Sequence, residues 1–512
     1  MSLNNFDNGF MTEKSMPMER IFSFFFHLTI ISSFLGSDIL SLETPIGAIF
    51  PFRVLLPLTI LLFFAERIEY GLRINKNRKI RKLNVYGIIF AFALLAYGFA
   101  SLFFAIDKSY TFKRLFNLSF DMGLFLLCLF YVSNHKKLKA LVYNLTACSL
   151  LTLFLGVYEV FDGNILFSEK YVRLARYSFF DRAILKPAAV TFTNTNDLNA
   201  GIFMITAAVS CYYIYGILKS KNKRIKTAYS AILLLLFVPT AFLIECSGAR
   251  LVKISLYIVL AFMTGLFVAY SKKHLVIPAA IFIVSIFFSY AGDYYNINAR
   301  TINMTNDAVY FVLDEAHNIA PSLVKKPTKK EHIPLREKLS IKDEMFAKDE
   351  NGEMILNTKY SGGIRLALIK SGFKMFSSSN GLGVGLGNGE MLLKQHKDRT
   401  GGITNFHCYV VRLIAEYGVF ALIPALILVL SALRSVFGSF KTALERRDSL
   451  LVINIVSVIG AALIFPFVST APSDAQDILQ MWVYASIILS MISFWDEGDI
   501  MGIYSDKDQF NY

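Results

Sequence analysis

The stretch that decides the reading runs from Ser361 to Tyr417. It opens with SGGIRLALIKSGFKMF (361–376), passes through GLGVGLGNG (381–389) and closes with NFHCYVVRLIAEYG (405–418). It ends the one long polar interruption in a chain otherwise made of apolar runs. A glycine turn, Arg365 and His407 gathered where a polar segment enters a membrane span read as a site for a polar ligand. The rest of the chain reads as the scaffold that brings this site to a membrane surface.

Composition agrees with that class. Of the 512 residues, 55% are hydrophobic and only 18% charged, and the mean hydropathy is +0.50, which places the chain among polytopic membrane proteins. The 47 Phe and 25 Tyr suit lipid-facing helices and interfacial belts. A formal net charge of +14 would also fit a nucleic-acid binder, but the excess lies in short loops between apolar runs, where the positive-inside rule accounts for it. The five cysteines form no metal or disulfide spacing. The polar residues 1–20 and the lack of a small-residue cleavage site make the run from Ile21 a first span rather than a signal.

A span needs about 20 apolar residues. Twelve runs qualify, beginning near Ile21, Ile46, Val85, Leu115, Ala140, Leu198, Thr227, Leu251, Leu275, Cys408, Leu450 and Asp477. Basic loops at Arg67–Lys82, His135–Lys139, Lys219–Lys226, Lys272–His274 and Arg434–Arg447 each follow an even-numbered run, which assigns them and both termini to the cytoplasm. The expected fold is an all-α polytopic membrane protein of about 12 transmembrane helices. Its parts are a cytoplasmic N-terminus (1–20), nine spans (21–290), a large extracytoplasmic loop with a functional C-terminal part (291–405), three spans (406–495) and a cytoplasmic tail (496–512). Residues 321–360, dense in Lys, Glu and Asp, read as a solvated insertion. No internal repeat of the transporter kind is visible.

Two motifs mislead. VLDEAHNIA (312–320) resembles a helicase acidic box, but no GxxxxGK[ST] loop accompanies it, so it reads as a surface helix. The run Gly381–Gly389 has GxGxG spacing after a helix, not the strand-led GxGxxG of a dinucleotide site. Its glycines, Gly383 and Gly385 among them, either bring backbone N–H groups close to a ligand or form a turn.

Four groups of polar residues are candidates for chemistry. His407 alone of the seven histidines sits where an outer loop turns into a span; it suits general-base work, or it caps and snorkels. Arg250, ending IECSGAR, and Arg53, in PFRVLL, stand at membrane depth, where arginines face polar cavities and bind anions. For both, a structural pair with a carboxylate such as Glu245 or Glu159 is the other reading. Lys186 and the Thr and Asn residues of KPAAVTFTNTNDLNAGIF (186–203), Asn196 included, enter a span from outside; they cap the helix or hydrogen-bond a sugar-like ligand.

Together these segments resemble the O-antigen ligase and polysaccharide polymerase family of bacterial envelope proteins. TFTNTNDLNAGIF is similar to that family's F-x-N-P-N-x-L-A segment, with Thr195 at the proline. SGAR (247–250) resembles its S-R-G turn, reordered around the arginine. SGGIRLALIKSGFKMFSSSNGLGVGLGN is similar to its R-x-x-x-W and G-x-G-x-G portion, with Ile369 or a neighbour at the tryptophan. His407, Cys408 and Gly418 match H-[NSQ]-x9-G spacing, with Cys408 at the polar position. The resemblance implies glycosyl transfer from an oligosaccharide on undecaprenyl pyrophosphate at the outer face of the plasma membrane, without metal, nucleotide sugar or cofactor. It gives His407 the role of base and Arg250 and Arg365 the pyrophosphate, with Arg53 and Lys186 assisting. Implied partners are the lipid-linked oligosaccharide, membrane lipid and other envelope-assembly proteins. A transporter or flippase of lipid-linked saccharides is the rival reading, and a non-catalytic assembly scaffold a third.

Overall fold

The computed structural model describes residues 17–35, 42, 49–74, 82–162, 190, 195–247, 250–270, 272–294, 346–348, 354–356, 361–395, 406, 408–445 and 475–496. In chain order these form α1 (Pro17–Phe34), α2 (Pro51–Ile74), α3 (Lys82–Ser101), α4 (Lys108–Tyr131), α5 (His135–Asp162), α6 (Thr195–Lys219), α7 (Lys223–Ser247), α8 (Arg250–Tyr270) and, after a short 3-10 turn, α9 (Val276–Tyr294). A two-stranded antiparallel hairpin, β1 (Phe346–Lys348) with β2 (Met354–Leu356), follows. Then come α10 (Ser361–Ser378), α11 (Asn388–Gln395), α12 (Tyr409–Tyr417), α13 (Val419–Glu445) and α14 (Ala475–Asp496). Eleven of the twelve apolar runs coincide with a helix of at least 18 residues. The run near Leu450 lies outside the described residues, as do the acidic stretch 312–320 and most of 321–360. The hairpin, two strands of three residues each inside 321–360, leaves the fold all-helical in class.

Five of the described helices, α3 to α7, are long and apolar enough to cross a membrane, and shorter apolar stretches run through α8, α13 and α14. The chain is a multi-pass helical membrane protein. Within the bundle, α6 is the central helix. Its apolar window is 94% buried, against 44–56% for those of the other four, because α7, α14, α5 and α8 all pack on it. Large apolar side chains elsewhere, such as Phe24, Phe64, Phe92 and Phe154, stay exposed on the outer rim, as a bilayer-facing surface requires.

Local chemistry sets several helix ends. Asp107 caps α4, its side chain accepting from the N–H of Tyr110 at 3.0 Å, and Asn134 caps α5 through the N–H of Lys137 at 2.9 Å. The tenth apolar run, expected as one span from Cys408, is two helices. Gly418 breaks it at φ 55°, ψ −136°, and the true apolar stretch starts at Val419. Arg434, assigned to a basic loop from sequence, lies inside α13.

Contacts between helix ends establish which loops share a side. Lys137 pairs with Glu19 at 2.7 Å, the N–H of Met18 reaches Glu69, and Ser493 bonds Asn84. The ends of α2 and α14 and the starts of α1, α3 and α5 therefore share one end of the bundle, beside the basic residues. The turn between α3 and α4 lies at the opposite end, and there the glycine-rich segment docks.

The docking is a backbone-to-backbone joint. Gly381 accepts from Val419 N–H, Ala415 from Val384 N–H and Glu416 from Gly385 N–H, each at 2.9 Å. A Cβ on Gly383 would lie 2.5 Å from the Glu416 carbonyl oxygen and 2.6 Å from Gly418 N, and its φ is +86°. No side chain fits between main chains that close. Replacing Gly383 by Ala is expected to lower stability by about 1–3 kcal/mol through this clash and the left-handed backbone. Gly265→Ala, with nothing within 4 Å of the new methyl, is the control and should leave the unfolding midpoint unchanged or raised. Thermal unfolding of both variants in detergent checks this; equal midpoints would contradict the joint.

Candidate functional site

Three helices build a small platform on the bundle end away from the basic loops. Leu368 and Met375 of α10, Leu393 of α11, Val411 and Ala415 of α12, and Phe406 form a core of their own, separate from that of the bundle. Gly372 lets α10 approach α12, since a Cβ there would collide with Val411. Phe406 fills the space beside Gly389.

Side chains from α3 and α4 grip the platform. Tyr97 donates to the carbonyls of Leu382 and Gly383 at 2.8 and 3.0 Å, and Thr111 to that of Leu386 at 3.0 Å. The N–H of Leu386 donates to Ser101 Oγ, and that of Ile106 to the side-chain Oδ1 of Asn388 at 2.9 Å. At Gly383 and Gly385 the N–H groups donate to Ser379 Oγ and to the Glu416 carbonyl. Both N–H groups are thus engaged within the protein, that of Gly385 in the joint with α12.

Behind the loop lies a cluster of buried ions that the sequence reading missed. Glu390, 4% exposed, accepts from Arg114 at 2.6 Å and from the hydroxyl of Tyr110. Its other oxygen lies 3.8 Å from Arg412. Arg412 also pairs with Glu416, four residues on, at 3.1 Å. Burial pushes the Glu390 carboxyl up, but Arg412 and Arg114 outweigh it and hold the group below the ordinary carboxylate value. The signal was present: Arg412 and Glu416 form an i,i+4 pair on a helix buried on that face. No local pattern links them to Arg114, nearly 300 residues earlier.

A narrow cleft separates α4 from α12, lined by Arg114, Asn117 and Asp121 on one side and by Tyr409, Arg412 and Tyr417 on the other, with Leu386 at its edge. Of the residues singled out from sequence, Arg53 reaches this neighbourhood. It donates to Asn117 at 2.7 Å and stacks over Phe50, Phe116 and Phe120. Glu245 holds Lys253 at 2.6 Å, and Glu159 accepts from the N–H of Val190 at 2.9 Å. Arg250 starts α8, Arg365 lies in the first turns of α10 and Asn196 in the first turn of α6, but their side chains lie outside the described residues. Lys186 and His407 lie outside them altogether. Among the described residues, no group of three or more His, Cys, Asp or Glu could hold a metal ion, and all five cysteines are free.

Neutralising Glu390 leaves two buried guanidiniums short of a counter-charge, so Glu390→Gln should cost about 3–5 kcal/mol. A carboxyl lowered by folding adds stability that is complete above its unfolded value and is lost as pH falls through its folded value. The midpoint of the parent should therefore fall on acidification below the ordinary carboxylate range. That of Glu390→Gln should start lower and vary less with pH. Parallel curves would show that Glu390 is not the group responsible.

No family model matches the chain. It is similar to the teichuronic acid biosynthesis protein TuaE of Bacillus subtilis (strain 168), at 22% identity over 481 residues, which is 93% of this chain and 85% of the relative.

Proposed function

We propose that this chain is a membrane glycosyltransferase that polymerises or ligates undecaprenyl-pyrophosphate-linked oligosaccharide at the outer face of the bacterial plasma membrane, for surface polysaccharide. The observation that carries the reading is the platform built over one end of a membrane bundle, with Arg53, Arg114 and Arg412 drawn together beside it. The end-to-end similarity to a protein named for teichuronic acid biosynthesis supports the same class of role. The positive-inside rule puts the basic loops in the cytoplasm and the platform outside, where lipid-linked units are joined.

In this reading the acceptor hydroxyl attacks the anomeric carbon of the donor sugar. The bond from that carbon to the pyrophosphate oxygen breaks, and undecaprenyl pyrophosphate leaves with its electron pair. His407 takes the hydroxyl proton. Arg250 and Arg365 hold the pyrophosphate and stabilise its charge as it departs, with Lys186, Arg53 and Asn196 contributing at the same face. The neighbouring spans receive the polyprenyl tail.

Cells carrying His407→Ala at membrane levels matched to the parent test the assignment. The expected result is loss of long chains, with elongation down at least about 100-fold and short lipid-linked units accumulating at the outer face. Normal chain length would remove His407 from catalysis, and units retained at the inner face would favour transport.

A further inference from the structure

One carboxylate in the cleft has no place in the ion network around Glu390. Asp121 is 4% exposed and stands in the interior of α4, one of the helices able to span a membrane. It lines the cleft with Arg114, Asn117 and Leu118, at i, i+3, i+4 and i+7 on one helix face. Asp121 is therefore about 10 Å farther along the axis than Arg114. The opposite wall, from α12, presents Tyr409, Arg412, Leu413 and Tyr417. Among the charged groups, those acting most strongly on Asp121 are Arg412, Arg53 and Arg114, in that order. Yet its Oδ1 has no hydrogen-bond partner.

A buried carboxylate oxygen without a donor costs about 1–3 kcal/mol or more, and carboxylates at membrane depth usually face a functional cavity. The arginines around it do not supply the missing bond. Arg412 points to Glu416 and Glu390, Arg114 to Glu390 and Tyr110, and Arg53 to Asn117. Their charges stand around the carboxyl group while its Oδ1 stays open. An anion is disfavoured beside that oxygen, and so is a purely apolar group. A neutral group with an O–H donor fits.

We propose that the α4–α12 cleft binds a hydroxyl of a saccharide, with Asp121 Oδ1 accepting its hydrogen bond and Asn117 and Tyr409 flanking it. This deepens the proposed function by naming a subsite for the acceptor sugar, and it rests on that reading for the identity of the sugar. The bond positions the hydroxyl-bearing sugar; the proton transfer stays with His407.

The test uses the purified full-length protein and neutral oligosaccharide fragments cut from the cell's own surface polymer. Trp482 is the reporter. It packs edge-on against Tyr409 of the cleft, with ring centroids 6.1 Å apart, and against Phe125, one turn beyond Asp121, at 5.5 Å. Trp495→Phe removes the second of the chain's 2 tryptophans. The parent should show a saturable change in emission. Asp121→Asn, which exchanges the carboxylate for the weaker acceptor of a neutral amide, should, with an unchanged unfolding midpoint, weaken the apparent affinity about tenfold, whereas Asp121→Glu, which keeps the carboxylate, should lose less. Leu413→Phe, which fills the cleft without altering charge, should block binding should the Asn variant fold poorly. Equal affinity in the parent and both the Asn and Phe variants, or no saturable change in the parent, would overturn the proposal and reveal a cleft that holds water only. Elongation of lipid-linked units is measured separately. Binding without elongation in the parent would sink the transferase reading and leave the subsite; elongation without Asp121-dependent binding would do the reverse.

Discussion

Glu390 is the side chain on which the arrangement of this end of the molecule depends. It is one of few charges on a short helix outside the bundle, and it is buried between Arg114 of a membrane helix and Arg412 of the platform. Groups so deeply buried are stable only as a set, since removal of one weakens the pairing of its neighbours at a cost of several kcal/mol. The contribution of such a set is specificity of position as much as stability. With Glu390 in place, the glycine loop meets the α3–α4 turn in one register, Tyr97, Ser101 and Thr111 find their backbone partners, and α12 is held against α4 at the spacing that leaves a cleft.

The second constraint is steric. Gly383 and Gly418 put two main chains in contact where no other residue fits. Gly418 also ends α12 before the apolar helix α13 begins, so the charged face of α12 is not carried into the hydrocarbon as part of a span. The same glycine thus separates the polar platform from the membrane helix that follows it. The ion set and the glycine contact act together: one fixes the platform laterally against α4, the other fixes its height above α13.

Much of the bundle was legible because hydropathy is a local property. Runs near Val85, Leu115, Ala140 and Thr227 are long and apolar enough to span by length and composition alone, and the ends of α2 and α14 share one end of the molecule with the starts of α1, α3 and α5. The break at Gly418 was not read, because a glycine inside an apolar run is common in membrane helices and looks no different there. The candidate site was legible only in part. Arg53 and the glycine loop do come to one end, but the ion set joins residues from α4, α11 and α12 whose relation is purely tertiary. Asp121 did carry a sequence signal, an acidic residue inside an apolar run, of the kind that marks function in a membrane.

The proposed activity of this chain is the joining of lipid-linked saccharides at the outer face of the membrane. Its most direct test is reconstitution of the purified protein in lipid vesicles with lipid-linked units extracted from cells that lack it, and with no nucleotide sugar and no other protein. The account predicts a ladder of lengthened chains and release of free undecaprenyl pyrophosphate in equal number to the bonds formed. Units that cross the bilayer without lengthening, or that stay unchanged while the protein remains folded, would contradict it.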